Sequence, residues 1–177
     1  MVRRLWILMP AIFVLAALLG SSQQVSAHDV RLVATINGSG RAVMDDASPL
    51  KGTTTYFIHA RLFSDGTAIG RFDCVDLAGS TSEGDFFGPI TSWKMVNGQV
   101  TLSGPGQLRA LNGDLIPGVG TTVFPYTVTI QKFGGKGIGH WTLDVPAFAP
   151  VAICSELLTS GRLVMATPGR REEDDSE

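Results

Sequence analysis

The feature that most constrains this chain is a period of two. Apolar and polar side chains alternate through Thr54–Phe63 and again through Val123–Gln131. Successive side chains of an extended strand point to opposite faces, so this alternation makes a strand with one buried face. Similar runs occur at Val30–Ile36, Ile69–Val75, Ile90–Val96, Gln99–Leu102, Ile138–Val145 and Arg162–Met165. Past residue 27 no stretch carries a convincing helical period, and the one helix candidate is a short turn near Ser155–Thr159. Asn37-Gly38, Asp65-Gly66, Asn97-Gly98, Asn112-Gly113 and Gly134-Gly135 supply turn signals between the runs. The expectation is an all-β fold: an antiparallel β-barrel or two-sheet β-sandwich of about 8–10 strands.

The two halves resemble each other, which predicts repeated units over 30–77 and 96–146. Thr35-Ile36-Asn37-Gly38-Ser39-Gly40 matches Thr101-Leu102-Ser103-Gly104-Pro105-Gly106. Thr54-Thr55-Tyr56 matches Thr122-Val123-Phe124, and Ile69-Gly70-Arg71-Phe72 matches Ile138-Gly139-His140-Trp141. Each G-x-G is read as a corner where a strand bends. Tyr56, Ile58, Ala60 and Leu62 then share a core face, as do Phe124, Tyr126, Val128 and Ile130; Phe72, Cys74, Trp141 and Leu143 join them. A three-residue loop Asp65-Gly66-Thr67 places Ala60 opposite Phe72 and His59 opposite Asp73; a four-residue loop 133–136 places His140 opposite Thr129.

Residues 1–27 read as a cleaved signal peptide: Arg3-Arg4, an apolar run from Leu5 to Leu19, and Val25-Ser26-Ala27 at the cleavage site. That run is short for a membrane span, so no stable anchor is expected after cleavage. The formal charge of −2 then divides into unlike parts. Without the leader 12 basic residues face 16 acidic ones, net −4, of which 170–177 contribute −3. Residues 28–168 form one nearly neutral β domain, and 169–177 are expected to be a disordered acidic tail. A body this close to neutral argues against nucleic acid as a partner.

Cys74 and Cys154 are the only cysteines. In an exported chain an even count predicts a disulfide, here closing a loop of about 80 residues. On the chain-entropy model such a bridge stabilises by at most about 4–5 kcal/mol. Neither cysteine has further ligands at the sequence spacing of a zinc site. No catalytic residue and no cofactor is assigned. His59 faces outward with no nucleophile near it. Asp45-Asp46 and the Glu83/Asp85 pair read as solvated loop acids rather than a glycosidase pair. Phe57, Phe63 and Trp93 offer at most a small sticky patch. His28 becomes the first residue if cleavage follows Ala27, and its α-amine and imidazole would chelate copper. In that one residue, and in fold class, the chain resembles secreted copper monooxygenases, which implies a minor copper-binding alternative.

The expected role is an exported, non-enzymatic binding or structural module in the periplasm or extracellular space. Its partner would be a small ligand, an envelope component or a protein, held by loops at one end. The alternative is a small barrel enzyme of the isomerase or cyclase type, or a ligand carrier. A large interior cavity lined by polar groups favours the alternative, and a solid core a structural or surface-binding module.

Overall fold

The computed structural model describes residues 29–77, 79, 83–114, 121–148 and 153–169. Residues 1–27, expected to be a signal peptide, His28 and residues 170–177, expected to be an acidic tail, lie outside them. The described chain is all strand and turn: β1 (Leu32–Met44), β2 (Thr53–Phe63), β3 (Thr67–Asp76), β4 (Gly84–Val96), β5 (Gln99–Arg109), β6 (Phe124–Lys132), β7 (Gly134–Gly135), β8 (His140–Asp144) and β9 (Cys154–Ala166). Eight strands follow one another antiparallel in the order β1-β2-β3-β4-β5-β6-β8-β9, and β9 pairs back onto β1. The molecule is therefore a closed barrel, not a sandwich. The extra strand, two-residue β7, pairs with β9 beyond the end of β8.

The core face follows the alternation. Tyr56, Ile58, Ala60 and Leu62 are buried on β2, and Phe124, Tyr126, Val128 and Ile130 on β6. An eight-stranded barrel has a lumen that inward side chains can fill, and aromatic rings fill this one. Phe86 meets Tyr126 with ring centroids 5.4 Å apart, Tyr126 meets Phe72 at 5.6 Å, Phe72 meets Trp141 at 5.5 Å, and Trp141 meets Tyr56 at 5.9 Å. Five strands thus contribute one continuous aromatic plug.

Local details differ from expectation. The β2–β3 loop has three residues, but they are Ser64-Asp65-Gly66, so Ala60 faces Gly70, Ile58 faces Phe72 and His59 faces Arg71. The Asp65 carboxylate accepts from the Thr67 backbone at 3.0 Å and from its hydroxyl at 2.6 Å, which draws Thr67 into β3. Moving the loop by one residue slides the register by two, and an even slip keeps every side chain on its face. Between β6 and β8 the chain takes seven residues, 133–139, because Gly134-Gly135 leave to pair with β9. Thr129 consequently faces Thr142, and His140 faces Lys132 across a bulge. Ser155–Thr159 is not a helical turn but part of β9. Asn37-Gly38 is no turn either: β1 runs straight through it.

The reason for the second glycine of that motif lies at the closing seam. Gly40 on β1 faces Gly161 on β9, with φ of 150° and 79°. A Cβ on either would run into the partner strand's backbone. The G-x-G of β1 is thus a close approach of two strands rather than a corner; on β5 a Cβ on Gly104 would run into the Pro89 carbonyl and one on Gly106 into the Phe86 ring. Gly161→Ala is expected to destabilise by about 2–3 kcal/mol, from the left-handed backbone and the overpacked seam together. Urea unfolding checks this; an unchanged midpoint would mean the seam has slack.

The two ends of the barrel differ. Connections of eight residues or more, apart from the seven of 77–83, join strands at one end: 45–52, 110–123 and 145–153. The other end carries the 64–66, 97–98 and 133–139 connections, together with the start of β1 and the end of β9. The long-loop end is the mouth.

Candidate functional site

A cavity of about 360 Å³ occupies the mouth, above the aromatic plug. Its walls are apolar: Leu50 from the β1–β2 loop, Phe86 from β4, Leu108 from β5, Leu143 from β8, and Phe148 and Ile153 from the β8–β9 loop. The volume falls in the range of small-molecule sites, and a mainly apolar wall with few polar groups is their usual character.

The polar groups are at the floor. Cys74 and Asp76 come from the end of β3, and Cys154 from the start of β9. β1 and β2 separate β3 from β9 around the wall, so the two cysteines meet across the lumen. Their sulfurs and a carboxylate oxygen of Glu156 all lie within 4.8 Å of one another. Alternation explains the grouping: Asp76 is two residues beyond Cys74, and Glu156 two beyond Cys154, so each acid shares the inward face of its cysteine.

The expected disulfide is not formed, and both cysteines are free thiols. Each is held in the ladder of its own strand, which leaves the sulfurs within 4.8 Å of each other, and the Cys74 thiol donates to Asp76 Oδ1 at 3.8 Å. Cys74 is raised well above the ordinary thiol value, first by its hydrogen bond to Cys154 and then by burial. Cys154 is pulled down by that bond, but burial and the neighbouring acids leave it raised as well. Protonated thiols are poor nucleophiles.

The two acids are equally shielded. Burial pushes Asp76 up to about 7, opposed by Cys74, whose Sγ lies 3.8 Å from Asp76 Oδ1. Glu156 is 0% exposed, and burial raises it to about 8. The Thr54 hydroxyl donates to Glu156 Oε2 at 3.1 Å and pulls the other way, while Asp76 adds repulsion. Glu156 Oε1 has no hydrogen-bond partner among the described residues.

The acids singled out in the sequence are elsewhere. Glu83 is exposed and accepts from the Gly79 backbone at 2.6 Å. Asp85 is bound by Arg109 Nε at 2.6 Å, and that guanidinium lies over Phe87. Asp46 is exposed, whereas Asp45 joins an arrangement the sequence did not reveal. Asp45 Oδ2 lies 2.7 Å from His140 Nε2, and the Ser155 hydroxyl donates to Asp45 at 3.0 Å, 3.1 Å from the same Nε2. Burial alone would raise Asp45, but these contacts and the Ala47 backbone hold it below the ordinary carboxylate value. Serine, histidine and aspartate together suggest a nucleophilic triad. A triad needs the acid on one imidazole nitrogen and the serine on the other. Here both meet Nε2, so the cluster ties the β1–β2 loop to β8 and β9 and has no relay.

His59 does not face Asp73. Its Nδ1 lies 2.7 Å from Asn37 Oδ1, while Asp73 pairs with Arg71 at 2.8 Å. Of the proposed aromatic patch only Phe57 is exposed; Trp93 packs against the core and its indole donates to the Phe63 carbonyl at 2.8 Å. Comparison with protein-family models, with curated proteins and with solved structures found no match, so the mouth and its floor carry the functional argument.

Proposed function

We propose that this is an exported, non-enzymatic binding module that takes a small, largely apolar molecule into the mouth of its barrel. The observation that carries the reading is the cavity of about 360 Å³, walled by apolar side chains and floored by Cys74, Asp76 and Cys154. Apolar walls favour transfer of a hydrocarbon surface out of water, and a few polar groups at one end orient the ligand. The solid aromatic plug below limits the ligand to the mouth. Export rests on the leader sequence, and duplication of a three-strand unit on the matched segments of the two halves.

A neutral fluorescent naphthylamine tests the cavity. One molecule should bind per chain, saturably, and fatty alcohols should displace it. Leu108→Trp fills the cavity and should weaken binding at least tenfold while the near-ultraviolet circular dichroism stays native. Unsaturable binding, or binding by both Leu108→Trp and Ile153→Trp as tight as that of the native chain, would remove the mouth as a ligand site.

One observation favours a second reading. Asp76 is the one carboxyl group among the described residues lining a mainly apolar cavity, the position from which a small-barrel isomerase would move a proton on its substrate. Asp76→Asn separates the two: a carrier keeps its ligand turnover-free in both forms, whereas an isomerase loses conversion and retains binding.

A further inference from the structure

The floor of the mouth has the composition of a soft-metal site. Two sulfurs and one carboxylate converge from β3 and β9 to within 4.8 Å of one another. A tetrahedral zinc ion with Zn–S distances of about 2.3 Å holds its sulfurs about 3.8 Å apart and a carboxylate oxygen slightly closer. The three donors therefore need only side-chain rotations to reach a common ion. Glu156 is wholly buried, and its Oε1 has no hydrogen-bond partner among the described residues. Leaving a buried polar atom unmatched is costly, and a bound cation would satisfy it. Cys74 and Cys154 also line the cavity, which provides the entry path.

We propose that Cys74, Cys154 and Glu156 form a binding site for a zinc-class divalent ion, with the fourth coordination position open to the cavity. Thiolates select borderline-soft ions such as Zn²⁺, Co²⁺ and Cd²⁺ over Mg²⁺ and Ca²⁺. Asp76, with Oδ1 3.8 Å from Cys74 Sγ, stands beside the open position and would accept from whatever donor occupies it. Three protein ligands and one open position make a site that binds an exogenous donor rather than a purely structural one. The sequence conceals it, because its signature is two Cys-x-acid pairs 80 residues apart. Only the barrel's closure brings them face to face.

The site is independent of the apolar ligand proposed above, and its test uses metal alone. Metal-free protein, kept reduced with a phosphine, is titrated with Co²⁺. The expected result is one ion per chain with a near-ultraviolet thiolate-to-cobalt charge-transfer band, which Zn²⁺ abolishes and Mg²⁺ does not. Cys154→Ser should eliminate the band, and Glu156→Gln should keep it with affinity weakened 10–100-fold. If the serine variant fails to fold, native protein still decides. One equivalent of Zn²⁺ should protect both thiols from alkylation by iodoacetamide under conditions where the metal-free protein slowly reacts. No thiolate band with one equivalent of Co²⁺, or alkylation unaffected by Zn²⁺, overturns the proposal. Naphthylamine binding to the metal-free protein is a separate measurement, so either result can fail alone.

Discussion

Replacing Trp141 by alanine is expected to lower stability by about 3–5 kcal/mol, the cost of deleting a large buried aromatic. Trp141 is 0% exposed and touches both Tyr56 and Phe72. Those rings come from neighbouring β2 and β3 on the opposite wall, so the indole spans the lumen and its removal opens a void no short side chain can reach. The neighbouring strands are held in closed ladders and cannot collapse inward, which places the cost in the upper part of the range. For a domain of this size the melting temperature should fall by roughly 10–15 °C. Phe57→Ala is the control, since its ring is 45% exposed on the outer face and its loss should cost less than about 1 kcal/mol. Urea unfolding monitored by far-ultraviolet circular dichroism measures both. Equal midpoints for the two variants would show that the plug does not hold the barrel.

The metal-free protein should also lose stability as the pH rises, in the direction opposite to ordinary acid denaturation. Glu156 keeps its proton to about pH 8 in the folded state and releases it from about 4.5 when unfolded. Between those values the unfolded chain binds fewer protons, so stability is fully present below about 4.5 and is lost on the way to 8. A shift of this size corresponds to an upper limit of about 5 kcal/mol. Asp76, raised from 3.8 to about 7, acts with the same sign. Glu156→Gln keeps the shape and the acceptor for Thr54 but carries no proton to lose. In the presence of a chelator it should match the native chain near pH 5 and exceed it by about 2–4 kcal/mol near pH 9. Parallel stability curves for the two proteins would mean that Glu156 is ionised in the folded state at no cost.

The alternation in Thr54–Phe63 and Val123–Gln131 made the strands and their buried faces legible, because side-chain direction is a local property. Register was only half legible. Asp65-Gly66 marked the hairpin, but the bonds that Asp65 makes to Thr67 decide which three residues form the loop. Closure was not legible, since it depends on Gly40 meeting Gly161, 121 positions further along the chain. For the same reason Cys74 and Cys154 read as a disulfide pair while the acids beside them went unnoticed. Cys-x-Asp and Cys-x-Glu put each acid on the face of its cysteine, but only the closed order of strands makes β3 look across the lumen at β9. Asp45, His140 and Ser155 converge only because β9 lies between β1 and β8.

Both ends of the described barrel leave from the side away from the mouth: β1 begins and β9 ends there, with Thr35 paired to Ala166. Anything fused to either terminus is thereby attached to the base of the cup. An immobilising tag at either end should present the opening to solution, so surface-based ligand or metal measurements can use either terminus without orienting the opening toward the support.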